Sequence, residues 1–220
     1  GSALVDEAAR RDAALGDVDW AALPDGAVRG TFHAPSGPLA TLAMGTPGNP
    51  RVLLIPGATG SKEDFVLMLP ELAGAGYFVL SCDIAGQYES AAAGPENLVP
   101  PRAHYDYELF TNDLIAMLDA DDGAAHVVGY SFAAIVAQVA FSRRPEKFRS
   151  LTLLSCPPEP GQSFRGVQRV GWFSGRLNPR VGAALMIWGI RSNVARVAPN
   201  RIRFVKHRFL FTRRSSVRDI

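Results

Sequence analysis

Of the residues in this chain able to do chemistry, Ser131 stands in the most telling surroundings. It is the third residue of Gly129-Tyr130-Ser131-Phe132-Ala133, with the apolar run Ala125-His126-Val127-Val128 before it. Ala134-Ile135-Val136-Ala137 follows without a Gly or Pro break. A serine at such a strand-to-helix turn is pushed out on a strained elbow, its hydroxyl exposed at the carboxyl edge of a sheet, where it can serve as a nucleophile. Acyl transfer by such a serine also needs a base for its proton and fixed donors where the oxyanion forms. Taken alone, the pentapeptide reads first as a surface turn serine, so its context must carry the nucleophile reading. The other groups able to act are the four histidines, His33, His104, His126 and His207, and the carboxylates Asp83, Asp113 and Glu159.

The elements that must position these residues follow from patterning. Residues 27–33 and 39–44 alternate like strands around a Pro35-Ser36-Gly37-Pro38 turn. Arg51-Val52-Leu53-Leu54-Ile55 is the continuous apolar run of a strand covered on both faces. Pro56-Gly57-Ala58-Thr59-Gly60 follows, then a helix opened by a Ser61/Asp64 capping box, bent at Pro70 and ended by Gly74 and Gly76. Tyr77–Cys82 is expected to be a strand. Tyr107, Phe110, Leu114, Met117 and Leu118 mark an amphipathic helix, and Ser150–Ser155 a sixth strand. Strands alternating with helices from 51 to 155 predict a parallel sheet of βαβ units, with ligands beyond the carboxyl ends of its strands. The loops at 56–61, 83–90, 129–133 and 155–160 all fall at that edge.

In this setting residues 27–155 resemble the front of an α/β-hydrolase. Four features occur in the family's order: the strand ending in Pro56-Gly57-Ala58, the loop Asp83-Ile84-Ala85-Gly86-Gln87-Tyr88-Glu89-Ser90, the elbow, and Pro145 followed by Phe148–Ser155. The loop is similar to the family's D-x-x-G-x-G-x-S. Pro56 stands where the family often has His, and Ala133 where it usually has Gly. The resemblance implies a mostly parallel, doubly wound α/β sheet with Ser131 as nucleophile and the N–H groups of Ala58 and Phe132 as the oxyanion hole. A serine at the elbow argues against epoxide or haloalkane chemistry, for which relatives resemble one another in carrying an aspartate there. No cofactor and no metal are implied.

The family order places an acid and then a histidine on loops after later strands. None of the four histidines has that position, and His207 reads foremost as a surface helix residue. Asp83 is expected to fix its own loop and Asp113 to lie on a solvated helix face; Tyr130 shapes the pocket or simply packs. Glu159, just after the sixth strand, is the one acid candidate, since some relatives place it there. The expected organisation is a leader over 1–26, the core over 27–158 and a helical cap over 159–220. The chain is expected to stop before the last strands, which would bring the missing acid and histidine.

Composition bounds the rest. With 47% hydrophobic and 20% charged residues the chain reads as globular. No apolar run approaches the ~20 residues of a membrane span, and no signal segment opens the chain. Cys82 and Cys156 suit buried thiols, so a cytoplasmic location is expected. Residues 1–160 carry 10 Lys+Arg against 20 Asp+Glu, while residues 161–220 carry 13 against 1. That basic segment reads foremost as one packing on an acidic body, with an anionic ligand or a membrane surface as alternatives and nucleic acid not expected. The expected function is hydrolysis of a small ester, lactone or related acyl substrate. A non-catalytic ligand- or partner-binding module and an acyltransferase are the alternatives. Expected partners are the small-molecule substrate and a completing C-terminal chain or a second copy.

Overall fold

In a computed structural model, residues 19, 22–154, 207–208 and 211–219 are described. Six strands form one sheet: β1 (Val28–Ala34), β2 (Gly37–Met44), β3 (Arg51–Ile55), β4 (Phe78–Cys82), β5 (Ala125–Tyr130) and β6 (Phe148–Leu154). Their order across the sheet is β1-β2-β4-β3-β5-β6. β1, β2 and β4 are joined antiparallel, whereas β4, β3, β5 and β6 run parallel. The described helices are α1 (Met68–Gly74), α2 (Tyr107–Asp119), α3 (Phe132–Arg143) and α4 (Arg214–Asp219). None is long and apolar enough to cross a membrane.

The all-apolar reading of β3 holds because both its faces are covered. Leu53 and Ile55 join the core under α2 and α3, built with Leu109, Phe110, Leu114, Phe132 and Val136. Val52 and Leu54 face the other way, against Phe65, Val66 and Leu69. Arg51 opens the strand and is itself buried, 8% exposed. Its guanidinium donates to the carbonyls of Met117 (2.9 Å), Leu118 (2.9 Å) and Gly123 (2.7 Å), around the carboxyl end of α2. The Met117 and Leu118 carbonyls, in the last turn of α2, lack partners within the helix, so a strand residue caps the helix laid over it.

Two local expectations are corrected. The segment after Ser61 is a short 3-10 turn, Lys62–Phe65, followed by the separate helix α1. Pro70 therefore lies in the first turn of α1, where its missing N–H costs no helical bond, and the chain bends before it. Asp113 does not lie on a solvated face: it is 4% exposed. Its carboxylate accepts the Ser36 N–H at 3.1 Å and the Ser36 hydroxyl at 2.5 Å, joining α2 to the β1–β2 turn. Most of the 1–26 and 159–220 segments lies outside the described residues.

Candidate active site

Gly129 and Ser131 together make the elbow. A Cβ on Gly129 would sit 2.7 Å from the carbonyl oxygen of Ala133 and 3.0 Å from the Cα of Ala134, so only glycine lets α3 start this close to its strand. Ser131 has φ 55° and ψ −114°, a positive φ that costs a non-glycine residue about 1–3 kcal/mol. Its surroundings hold it there. The Ser131 N–H bonds the Leu154 carbonyl of β6 at 3.0 Å, and the Ser131 carbonyl accepts the Ala134 N–H at 3.0 Å. The serine precedes a helix, yet its hydroxyl accepts no capping bond. An ordinary helix-capping serine would use it so.

Phe132 opens α3, in the turn whose N–H groups have no partner within the helix. Its buried ring packs on Tyr107 and Phe110, with centroids 5.3 Å away in each case. Tyr130, between glycine and serine, is 42% exposed.

The Pro56–Gly60 loop passes directly over the elbow. A Cβ on Gly57 would meet the Tyr130 carbonyl at 3.1 Å and the Ser131 Cβ at 3.2 Å. Ala58, half-buried, is the next residue. The Gly60 N–H returns to the Gly57 carbonyl at 3.0 Å, closing a turn with Thr59 at φ 62°. Ser131, Phe132 and Ala58, grouped by the family resemblance, thus come from the elbow and from a loop in contact with it.

The carboxylates have other tasks. Asp83, fully buried after β4, accepts the Lys62 N–H (2.8 Å), the Lys62 ammonium (2.8 Å) and the Glu89 N–H (3.2 Å), so it fixes its loop as expected. Lys62 is 1% exposed and also meets Glu63 at 2.9 Å and Glu89 at 2.6 Å. Burial disfavours its charge, but the Asp83 and Glu63 carboxylates outweigh that, holding the ammonium above the ordinary lysine range. Nothing in the sequence marked Lys62, since a lysine after a cap reads as solvated. Gln87, also fully buried, was missed as well.

Among the described residues, which include all four histidines, none of the histidines hydrogen-bonds to Ser131. His126 stands at the far end of β5, five residues and about 16 Å away, bonded to the Ser150 hydroxyl at 2.6 Å and edge-on to Tyr77. His33 is exposed on β1. His104 lies 3.6 Å from Asp219. His207 is exposed, as expected, and packs on Tyr88 and Phe211. Glu159, the acid candidate, lies outside the described residues. The described part of the basic segment does pair with the acidic body: Arg208 with Asp64 at 2.8 Å and Arg213 with Glu96 at 2.6 Å.

A sequence profile described as alpha/beta hydrolase fold matches residues 50–181, more than half of the chain. The chain belongs to the alpha/beta hydrolase fold family. Solved relatives share its architecture at low identity. A hydrolase from Pseudomonas aeruginosa PA01 superimposes with a TM-score of 0.69 at 19% identity, over 87% of this chain and 70% of that one. An epoxide hydrolase from Vigna radiata gives 0.62 at 16%, over 90% and 72%. A putative lipase from Acinetobacter baumannii gives 0.64 at 15%, over 84% and 60%. No curated protein matches the sequence. These likenesses carry the fold; the chemistry rests on the site.

Proposed function

We propose that this hydrolase-fold protein is a serine hydrolase of small esters, lactones or related acyl compounds. The supporting observation is the backbone of Ser131: a non-glycine residue kept at positive φ, its hydroxyl uncommitted to the helix behind it, with the Gly57 backbone against it. Ser131 Oγ attacks the acyl carbonyl, and the carbonyl electron pair moves onto oxygen. The N–H groups of Ala58 and Phe132 receive that charge, in the position where preorganised donors are worth most. The serine proton passes to a histidine, oriented by an acid, both contributed from outside residues 27–154. Glu159 remains the acid proposed within this chain. Collapse of the tetrahedral species expels the alcohol with that proton, and water then releases the acid from the acyl-serine. Residues 159–220 act as the cap that selects substrate. Serine at the elbow is what directs the reading to acyl rather than epoxide substrates.

Treatment of the full-length protein with a fluorophosphonate tests this reading. A single adduct is expected on the peptide containing Ser131, absent in Ser131→Ala. No adduct on Ser131 in folded protein, or equal modification of the alanine variant, refutes it.

A further inference from the structure

Beyond the oxyanion donors themselves, we infer that Gln87 is a positioning residue, which holds the 57–60 turn in the form that presents Ala58 to Ser131. This rests on the serine hydrolase reading for its catalytic meaning, but its structural content stands apart.

Thr59 is the unusual residue of that turn. A positive φ at the third of four residues belongs to a type II turn, where glycine is the ordinary occupant. Ala58 has no positive φ, which excludes the mirror-image form. A β-branched residue in this place is strained. In a type I turn Thr59 would relax to negative φ and the Ala58–Thr59 peptide would turn over. Something must therefore keep the peptide in its present orientation, and Gln87 is placed to do so: its Oε1 accepts the Thr59 N–H at 2.6 Å.

The orientation of the Gln87 carboxamide follows from its other end. The Ser216 hydroxyl has one proton, donated to the Ala85 carbonyl at 2.9 Å. Toward Gln87 it can only accept, so the atom facing it at 3.3 Å must be Nε2. That leaves Oε1 for Thr59. Gln87 is fully buried, and its backbone is anchored through its own N–H to Ile84 at 3.1 Å and its carbonyl to Ser90 at 2.9 Å. A buried, oriented acceptor thus fixes a strained peptide one residue from the proposed oxyanion donor.

The test pairs amide hydrogen exchange with fluorophosphonate labelling of Ser131 in the full-length protein. Gln87→Met keeps the volume but removes the acceptor. It is expected to speed exchange of the Thr59 and Gly60 amides at least tenfold and to slow labelling by 10- to 100-fold. Adding Thr59→Gly, which favours the same turn without help, is expected to restore both. Ser216→Ala, which frees the carboxamide to rotate, gives a smaller change in the same direction and serves if Gln87→Met does not fold. Exchange unchanged in the variant that folds overturns the inference, as does labelling that stays slow after Thr59→Gly is added. If the unsubstituted protein is never labelled, the serine hydrolase reading fails instead, and exchange with its rescue still decides the role of Gln87.

Discussion

Replacing Asp113 by asparagine should stabilise this protein above neutral pH and do little below pH 4. Burial pushes the Asp113 carboxyl up to about 6, against the two hydrogen bonds from Ser36, which pull it down. The ordinary value is 3.8. A rise of that size, at about 1.4 kcal/mol per pH unit, corresponds to about 3 kcal/mol. The sign follows from proton binding: between these values the folded state holds a proton that the unfolded chain has lost. The contribution to stability is therefore fully present below pH 3.8 and is lost as pH rises through about 6. Asparagine does not titrate, and its carboxamide can accept the Ser36 N–H while donating to the Ser36 hydroxyl. Urea unfolding of both proteins between pH 4.5 and 8 isolates the effect, because all other groups cancel in the difference. The stability gap should move in favour of Asp113→Asn by about 2 kcal/mol across that range and level off above pH 7. A gap that stays flat, or moves the other way, refutes the account of Asp113 as a carboxylate burdened by burial.

Three further outcomes are expected. Gly57→Ala puts a methyl about 3.1–3.3 Å from Tyr130 and Ser131 atoms, which forces the loop off the elbow. Fluorophosphonate labelling should slow by at least tenfold, a loss of ~1.4 kcal/mol or more of transition-state stabilisation, with a smaller change in urea midpoint. Lys62→Met leaves Asp83 and Glu63 buried without their cation and should cost about 3–5 kcal/mol in urea unfolding. Arg51→Met removes the donor to three carbonyls around the end of α2. A loss of about 1–3 kcal/mol is expected, with faster amide exchange at the carboxyl end of α2.

The parts of the fold legible from sequence were those that local chemistry decides. β3 and β5 show as apolar runs because both faces of a central strand are covered, and the Gly129–Ser131 spacing shows because only glycine admits the helix there. The 51–55 strand and the 107–118 helix fall where the pattern puts them, within a residue. What stayed hidden depends on partners far along the chain. Asp113 reads as solvent-facing until Ser36, 77 residues away, supplies two donors. Lys62 is buried only because three carboxylates converge on it, and Gln87 gains meaning only from Thr59 and Ser216. Sequence periodicity reports which face of an element is covered; it carries no record of which distant polar group makes burial of a charge tolerable. The elbow was visible for that same reason, since its geometry is local, whereas no histidine partner could be read from the residues around it.

The bond from Gln87 to Ser216 joins positions 129 residues apart. A growing chain makes its amino-terminal segments first, at about 5–20 residues per second. The loop holding Gln87 therefore leaves the ribosome roughly 6–26 s before the helix that orients its carboxamide. During that interval the β3–β4 pairing and the early core can already form, since their contacts lie close in sequence. The strained Thr59 peptide meets Gln87 only 28 residues on, but the carboxamide that holds it is oriented by Ser216, far later in the chain. In the nascent protein the scaffold precedes the site by seconds, and a serine set on its elbow waits for the last described turn of the chain before the loop above it takes its final form.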